Sequence, residues 1–597
     1  MSTVPEREEI DAADKWDLKS VYDSTEAWED DFERAKADIE ELRDYEGRVT
    51  ADGETLLEFL EAYEDVARTV STLAAYARMR ADEDTRDQEA QALKSRGSAL
   101  ASKLSSATSF LEPELQSLDR DELDRMVAAT DGLELYEHYL DDVFRMKAHT
   151  RSAEVEEVIS EFGEVMGAPG EVYGMLTNAD LEFPTVEGPA GEDVTITQAN
   201  FTTLLQERDR EFRQTVHESF YDRISDVRNT IGASLQYSTK GDVKRAQVRG
   251  YDTAREAALD GPNIPVEVYD NLVETVRGNL DALHHHADLK RRALDVDDLE
   301  MWDLYMPLTD AEEPDIDYEQ AREYVVEAVA PLGEDYQERV AEGLESGWVD
   351  VYENEGKRSG AYSGGTYDTQ PFILMNYQGD LDSVYTLAHE LGHSLHSQLS
   401  SEHQPYVYND YEIFVAEVAS TVNESLLTQY LLEHTADEAL RAHVLDQYLE
   451  RFRSTLFRQT LFADFEHTIH TMEENGEPLT PDALDAEYGD LKREFYGDAR
   501  VDDHIAREWM RIPHFYYNYY VYQYSTGISA AVALTEGILA GKEGAAEAYI
   551  DFLTRGSTEY PLELLRDAGV DMSSPAPIES AIGVYREYLD RAEDHLL

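Results

Sequence analysis

The chain has 597 residues, 42% of them hydrophobic, with 127 acidic against 51 basic side chains and a formal charge of −76. A chain this long exceeds a single hydrophobic core, so several subdomains are expected. The charge argues against nucleic acid and anionic membrane surfaces as partners, because both would repel it. The acidic residues are spread along the whole chain, and only 12 of the basic ones are Lys. Such a surface suits a salt-rich cytoplasm, where screening relieves the repulsion between carboxylates, and a halophilic source is expected. There is no Cys, which removes disulfides, thiolate metal ligands and thiol nucleophiles. The opening MSTVPEREEIDAADKW carries no apolar signal core. No run reaches the ~20 apolar residues of a membrane span. A cytoplasmic location is expected.

From Glu26 to about Thr150 apolar residues recur at intervals of three and four, the helical period. Gly47, Asp52-Gly53 and Glu112-Pro113 are expected to mark helix ends. With neither a strict heptad nor a repeat, the expectation is packed antiparallel helices. Gly163 to Gly191 reads differently, as short β-like pieces and turn residues around Pro169-Gly170. Thr195 opens a second helical series, which places a domain boundary near residue 190. Helices are expected to continue to about Glu345, interrupted at Gly261-Pro262, Ile264-Pro265 and Pro307 to Pro314. His284, His285 and His286 lie in this series. Consecutive helical residues point about 100° apart, so these three are not expected to share an ion.

Between Gly347 and Asp380 the pattern changes to strand. It comprises WVDVYE, a glycine-rich stretch from Gly356 to Gly365, and the apolar run PFILMNY. The glycines lack phosphate-loop spacing. A small sheet here would either hold an extended peptide along its edge or be purely structural.

The strands lead into Ser383 to Ser400, SVYTLAHELGHSLHSQLS, which contains the HExxH sequence His389-Glu390-Leu391-Gly392-His393. Helical residues four apart share a face. His389 and His393 can therefore offer two imidazoles to one zinc ion, and Glu390 can reach a water on it. Five such residues also arise by chance, and a catalytic site needs a third protein ligand with the fourth position left for water. Downstream the chain offers Glu412, Glu417 and Glu424. Thermolysin-like and aminopeptidase-like spacing would select Glu412, but this residue opens its element beside Asp410 and Tyr411, where charge is ordinary. Glu417 lies in the apolar run IFVAEVASTV, where a charge is costly unless paired or metal-bound. Glu417, Ser420, Thr421 and Glu424 recur at helical spacing. Glu417 is read as the third ligand, with a buried ion pair as the alternative. Glu424 is read as a carboxylate that orients a ligand His. His396 either supports the site or is an ordinary half-buried helix residue.

The third stretch, His514 to Gly527, reads HFYYNYYVYQYSTG. It holds more tyrosines than packing requires. Peptide hydrolysis develops a tetrahedral oxyanion, and neutral donors aimed at it lower the barrier. His514 and tyrosine hydroxyls are such donors. Some of these tyrosines must be core aromatics with local hydrogen bonds, since they cannot all face one way.

The order and spacing of these motifs resemble oligoendopeptidase F, in the thimet oligopeptidase family of zinc metallopeptidases. WDLKSVYDSTEAWEDD from Trp16, HHHADLKRRAL from His284 and GKRSGAYSGGTYDTQPFILMNY from Gly356 resemble that family too, so the resemblance covers nearly the whole chain. It implies a mainly α fold: a multi-helix, two-lobed shell around a deep substrate channel, with a small β-sheet beside the HExxH helix. It divides the chain into an N-terminal helical region over 1–115, an oligopeptidase F N-terminal-type domain over 116–190 and a catalytic domain over 191–597. By the same resemblance His389, His393 and Glu417 match the ligands of one Zn2+ per chain. Glu390 matches the catalytic acid/base and His514 a substrate-contacting His. Tyr519 and Tyr522 match the transition-state tyrosines best. Thimet oligopeptidase itself has a longer glycine-rich segment that is missing here, which leaves Tyr520 and Tyr524 open.

The implied activity is endopeptidase cleavage of short, unstructured peptides. Two other readings stand beside it. A carboxypeptidase-type exopeptidase would need a group to hold a terminal charge, and no sequence feature identifies one. A catalytically inactive peptide-binding protein would not need the intact HExxH, Glu417 and tyrosine set.

Overall fold

The structure, a computed structural model, describes residues 4–311 and 313–596, with side chains for all of these except 153, 157, 164 and 596. It is mainly α, with five short strands: β1 (Thr185–Glu187), β2 (Asp193–Thr195), β3 (Val349–Asp350), β4 (Tyr362–Gly364) and β5 (Phe372–Leu374). The chain forms two compact units. The first comprises Met1–Ala148, Pro314–Glu433 and Leu534–Gly569; the second comprises His149–Glu313, His434–Ala533 and Val570–Leu597. Each unit is therefore built from separated stretches of sequence, and the expected boundary near residue 190 falls inside the second.

In the first unit, helices Thr25–Leu42, Gly53–Glu83 and Gln88–Thr108 each start at a polar residue whose side chain accepts a backbone N–H: Ser24, Asp52 and Asp87. Those caps satisfy donors that a helix N-terminus leaves unpaired. Asp52-Gly53 is thus a helix start, as its composition suggested. Glu112-Pro113 falls in the first turn of helix Leu111–Ser117, where a missing N–H costs nothing. The apolar faces of these helices meet in one core around Trp28, Leu56, Phe59 and Leu73. The indole N–H of Trp28 donates to the Leu73 carbonyl at 3.0 Å.

Phe372 and Leu374 of β5 enter that same core. The Trp16 ring lies edge-on to Phe372 at 6.2 Å. The N-terminal helices therefore back a three-stranded sheet of order β3–β5–β4. β3 runs parallel to β5, and β4 is antiparallel to it with Ser363 opposite Ile373. β4 is an edge strand, and it packs on helix Leu381–His403.

The second unit is also mainly helical and contains an antiparallel hairpin of β1 and β2, with Val186 opposite Val194. Gly163 to Gly191 contains this hairpin, but Gly163–Met175 is a helix, with Pro169 inside it. That helix packs on helix Arg228–Arg249, where Ser234 Oγ donates to the Pro169 carbonyl at 2.6 Å. Tertiary packing outweighs the local turn propensity of Pro-Gly here. Thr195 ends β2, and helices resume only at Phe201 and Arg210. The three consecutive histidines on helix Leu280–Ala293 do face separate partners. His284 meets the Glu494 carbonyl, His285 meets Glu593, and buried His286 meets the Tyr585 hydroxyl at 2.7 Å.

Candidate metal centre and tyrosine cluster

Helix Leu381–His403 begins at Asp380, whose carboxylate accepts the backbone N–H of Ser383 at 2.8 Å and its hydroxyl at 2.6 Å. A connection containing the 3-10 helix Tyr406–Tyr408 leads to helix Ile413–His434. The two helices meet at Gly392. A Cβ placed there would lie 2.6 Å from Ser420 Cα and 2.7 Å from the Ala419 carbonyl oxygen, so only glycine permits this approach.

The close crossing brings Glu417 to the two histidines. The Nε2 atoms of His389 and His393 are 3.2 Å apart, and their rings stand at 81° to each other. Glu417 Oε2 is 3.6 Å from the first Nε2 and 3.8 Å from the second. Ligand atoms on a tetrahedral zinc with bonds of about 2.0–2.1 Å sit about 3.3–3.5 Å from one another. The spacing of the three groups fits that arrangement, and two imidazoles with one carboxylate suit a borderline divalent ion. Glu412 is not part of the group.

Supporting contacts fix the ligands. His389 Nδ1–H donates to Glu424 Oε1 at 3.1 Å, which leaves Nε2 with its lone pair toward the site. Glu424 is only 7% exposed. Ser420 Oγ lies 3.2 Å from Glu417 Oε2 and donates to it. Burial, reinforced by neighbouring His389, pushes His393 down to about 4. It is neutral at pH 7, the form a metal needs.

Glu390 is 7% exposed. Burial pushes its carboxyl above the usual range, and the Glu417 charge adds to that. His389 and a hydrogen bond from the Ser363 backbone N–H pull the other way. Ser363 also meets Ser394 through its hydroxyl at 2.8 Å. Residue reading alone missed Ser363. The clue was its place in GAYSGG, a glycine-flanked strand where backbone groups can approach a site closely. Glu390, His393, Ser363 and Tyr411 line a cavity of about 780 Å³ whose other wall is the stretch from Ala361 to Pro371. His396 is fully buried and stacks on Tyr411 at 3.7 Å with the rings 6° apart. Burial pushes it down to about 3, so it is a neutral packing group behind the cavity.

The tyrosine stretch belongs to the second unit. It is not one helix: Asn518 and Tyr519 have φ of 46° and 58°, and the helix begins at Tyr522. Glu466 accepts the Tyr519 backbone N–H at 2.6 Å, and the Tyr519 hydroxyl meets His467 Nδ1 at 3.2 Å. Tyr519 and Tyr522 are 3% and 2% exposed, and both pack on the buried Tyr269 ring. His514 instead groups with Tyr520 and Tyr524, whose rings lie 6.2 and 5.9 Å from it. These three are half-buried. Burial and the Arg458 charge push His514 below its usual range. His514 thus has ring contacts with Tyr520 and Tyr524, the alternatives left open, while Tyr519 and Tyr522, the pair that the resemblance matched best, pack on Tyr269.

Residues 203–584 match Peptidase family M3, and residues 114–183 match Oligopeptidase F. Oligopeptidase PepF of Bacillus subtilis (strain 168) is 43% identical over 595 residues, covering 100% of this chain and 89% of that protein. A crystal structure from Chlamydophila abortus has a TM-score of 0.91 at 34% identity, covering 99% of this chain and 100% of that one. The crystal structure of oligoendopeptidase-F from Enterococcus faecium has a TM-score of 0.74 at 36% identity, covering 96% and 99%.

Proposed function

This chain belongs to peptidase family M3 and is an oligoendopeptidase F-type peptidase, a hydrolase of peptide bonds; from that premise we propose that it is a zinc-dependent endopeptidase that cleaves internal bonds of short, unstructured peptides. The observation that carries this reading is the convergence of His389, His393 and Glu417 at ligand spacing, with Glu390 lining one cavity together with His393. Zinc held by these three side chains would supply Lewis acidity and a lowered pKa for an attacking water.

The protein's own groups do the rest. Glu390 takes the proton of the attacking water on its carboxylate and later gives it to the leaving amine. Burial suits it to both roles, because a raised proton affinity makes a better base and keeps the proton available. The Ser363 N–H holds that carboxylate in place. Strand β4 offers a free edge beside the cavity, where an extended peptide can pair through its backbone whatever its side chains. Glu424 fixes the tautomer of His389. Glu424→Gln is expected to weaken metal affinity by about 10–100-fold, read by competition with a chelator.

Oxyanion stabilisation is assigned to His514 with Tyr520 and Tyr524. The resemblance supports such a role for this stretch, and their grouping around His514 supports these two tyrosines over Tyr519 and Tyr522. Tyr520→Phe or Tyr524→Phe is expected to lower kcat by about 10²–10³-fold, the cost of one oxyanion donor, with KM little changed. Tyr522→Phe should leave kcat near wild type. The reverse pattern would return the role to the buried pair.

The deciding assay uses an internally quenched peptide blocked at both ends. Cleavage that a chelator abolishes and zinc restores supports a metalloendopeptidase; no cleavage overturns it. The assay belongs in molar salt, since the charge of −76 favours a salt-rich cytoplasm as the working environment.

A further inference from the structure

Among the described residues a second group of potential ligands lies in the other unit: His217, Asp502 and His504, whose ligand atoms all fall within 4.8 Å of one another. His217 projects from helix Arg210–Ser225 and is 1% exposed. Asp502 and His504 precede the 3-10 helix Ile505–Arg511 and are only partly exposed.

We propose that His217, Asp502 and His504 form a second site for a borderline divalent cation of the Zn2+ class, pinning the 502–511 segment to helix Arg210–Ser225. Asp502 Oδ2 lies 3.3 Å from His217 Nε2 and 3.5 Å from His504 Nδ1. Both exceed the about 2.7–2.9 Å of a charge-assisted hydrogen bond, although the first is within hydrogen-bonding range. They match the spacing of ligand atoms around one tetrahedral ion. The other carboxylate oxygen, Oδ1, is already taken by the Ile505 backbone N–H at 2.8 Å, which turns Oδ2 toward both rings.

The outer contact is the second argument. His504 Nε2 lies 3.0 Å from Asp222 Oδ1. The Nε2–H that donates there leaves Nδ1 with its lone pair toward Asp502 and His217. This is the carboxylate–histidine pattern that orients metal-ligating imidazoles. It repeats the Glu424–His389 arrangement with the ring nitrogens exchanged. The ring planes also stand alike, at 83° here and 81° in the catalytic pair. Three protein ligands leave one position for water, and the partial exposure of Asp502 and His504 puts it at the surface.

The test titrates the full chain, stripped of metal and held in molar salt, with Co2+ alone. Two tight equivalents are expected. The double variant His389→Gln/His393→Gln should keep one of them, with its own visible absorption. Adding Asp502→Asn to that background should remove it. Should Asp502→Asn fail to fold, His504→Gln replaces it, since its ring is partly exposed. A second readout comes from Trp302, whose ring lies 4.9 Å from that of His217. Co2+, and not Zn2+, should quench its fluorescence in the double variant, and His504→Gln should abolish the quenching. A single equivalent in the unsubstituted chain overturns the site. So does tight binding in the double variant that neither Asp502→Asn nor His504→Gln reduces.

Discussion

Replacing Glu390 with Gln is expected to lower kcat by about 10²–10⁴-fold, the range that one positioned acid–base group contributes. Metal content should not change, because Glu390 is not among the three clustered ligands. The amide keeps the shape of the side chain and can still contact the Ser363 backbone, but it can neither take nor give a proton. Zinc analysis and peptide cleavage on the same sample separate the two functions. Wild-type turnover by Glu390→Gln would remove it from the chemistry. Loss of metal together with turnover would show that it holds the site rather than works in it.

Gly392→Ala is the second large effect expected, although Gly392 touches neither substrate nor metal. The added methyl would meet backbone atoms of the facing helix at 2.6–2.8 Å, and backbone cannot swing aside as a flexible side chain can. The helices must move apart, at a cost of about 1–3 kcal/mol for an overpacked contact. Glu417 sits one turn before Ser420 on the helix being pushed away, so the gap between its carboxylate and the two imidazoles must widen. Alanine is a better helix former than glycine by about 0.8–1.0 kcal/mol, so propensity alone predicts a gain. A fall in both thermal midpoint and zinc affinity supports the crossing argument. A rise in the midpoint with affinity unchanged would refute it.

The candidate metal ligands could be named from the sequence for a simple reason. Helical periodicity fixes what residues four apart can share, and a carboxylate in an apolar run demands a partner. Glu417 and Glu424 were singled out that way; Glu424 is buried against His389, whereas Glu417 stands beside both imidazoles with its side chain 37% exposed, so the apolar run does not bury it. Gly392 was not legible, since its meaning needs the second helix. The tyrosine stretch was harder to read. Tyr519 and Tyr522 were matched through the resemblance, which carries no backbone conformation, and the chain takes left-handed turns at Asn518 and Tyr519 before the helix starts. The helix Gly163–Met175 was hidden by Pro169 and its flanking glycines, whose local preference gives way to packing on Arg228–Arg249. His217 and Asp502 are far apart in the chain, and no short pattern links them.

The first unit is stitched from three stretches, yet His389, His393 and Glu417 all come from the middle one, Pro314–Glu433. The last stretch supplies helix Ala545–Thr554, which packs on helix Leu381–His403. During synthesis the three candidate ligands are therefore made before the residues that pack against the helix carrying two of them. Synthesis of the candidate ligands and completion of the packing behind them are separable events in the life of the nascent polypeptide, in that order.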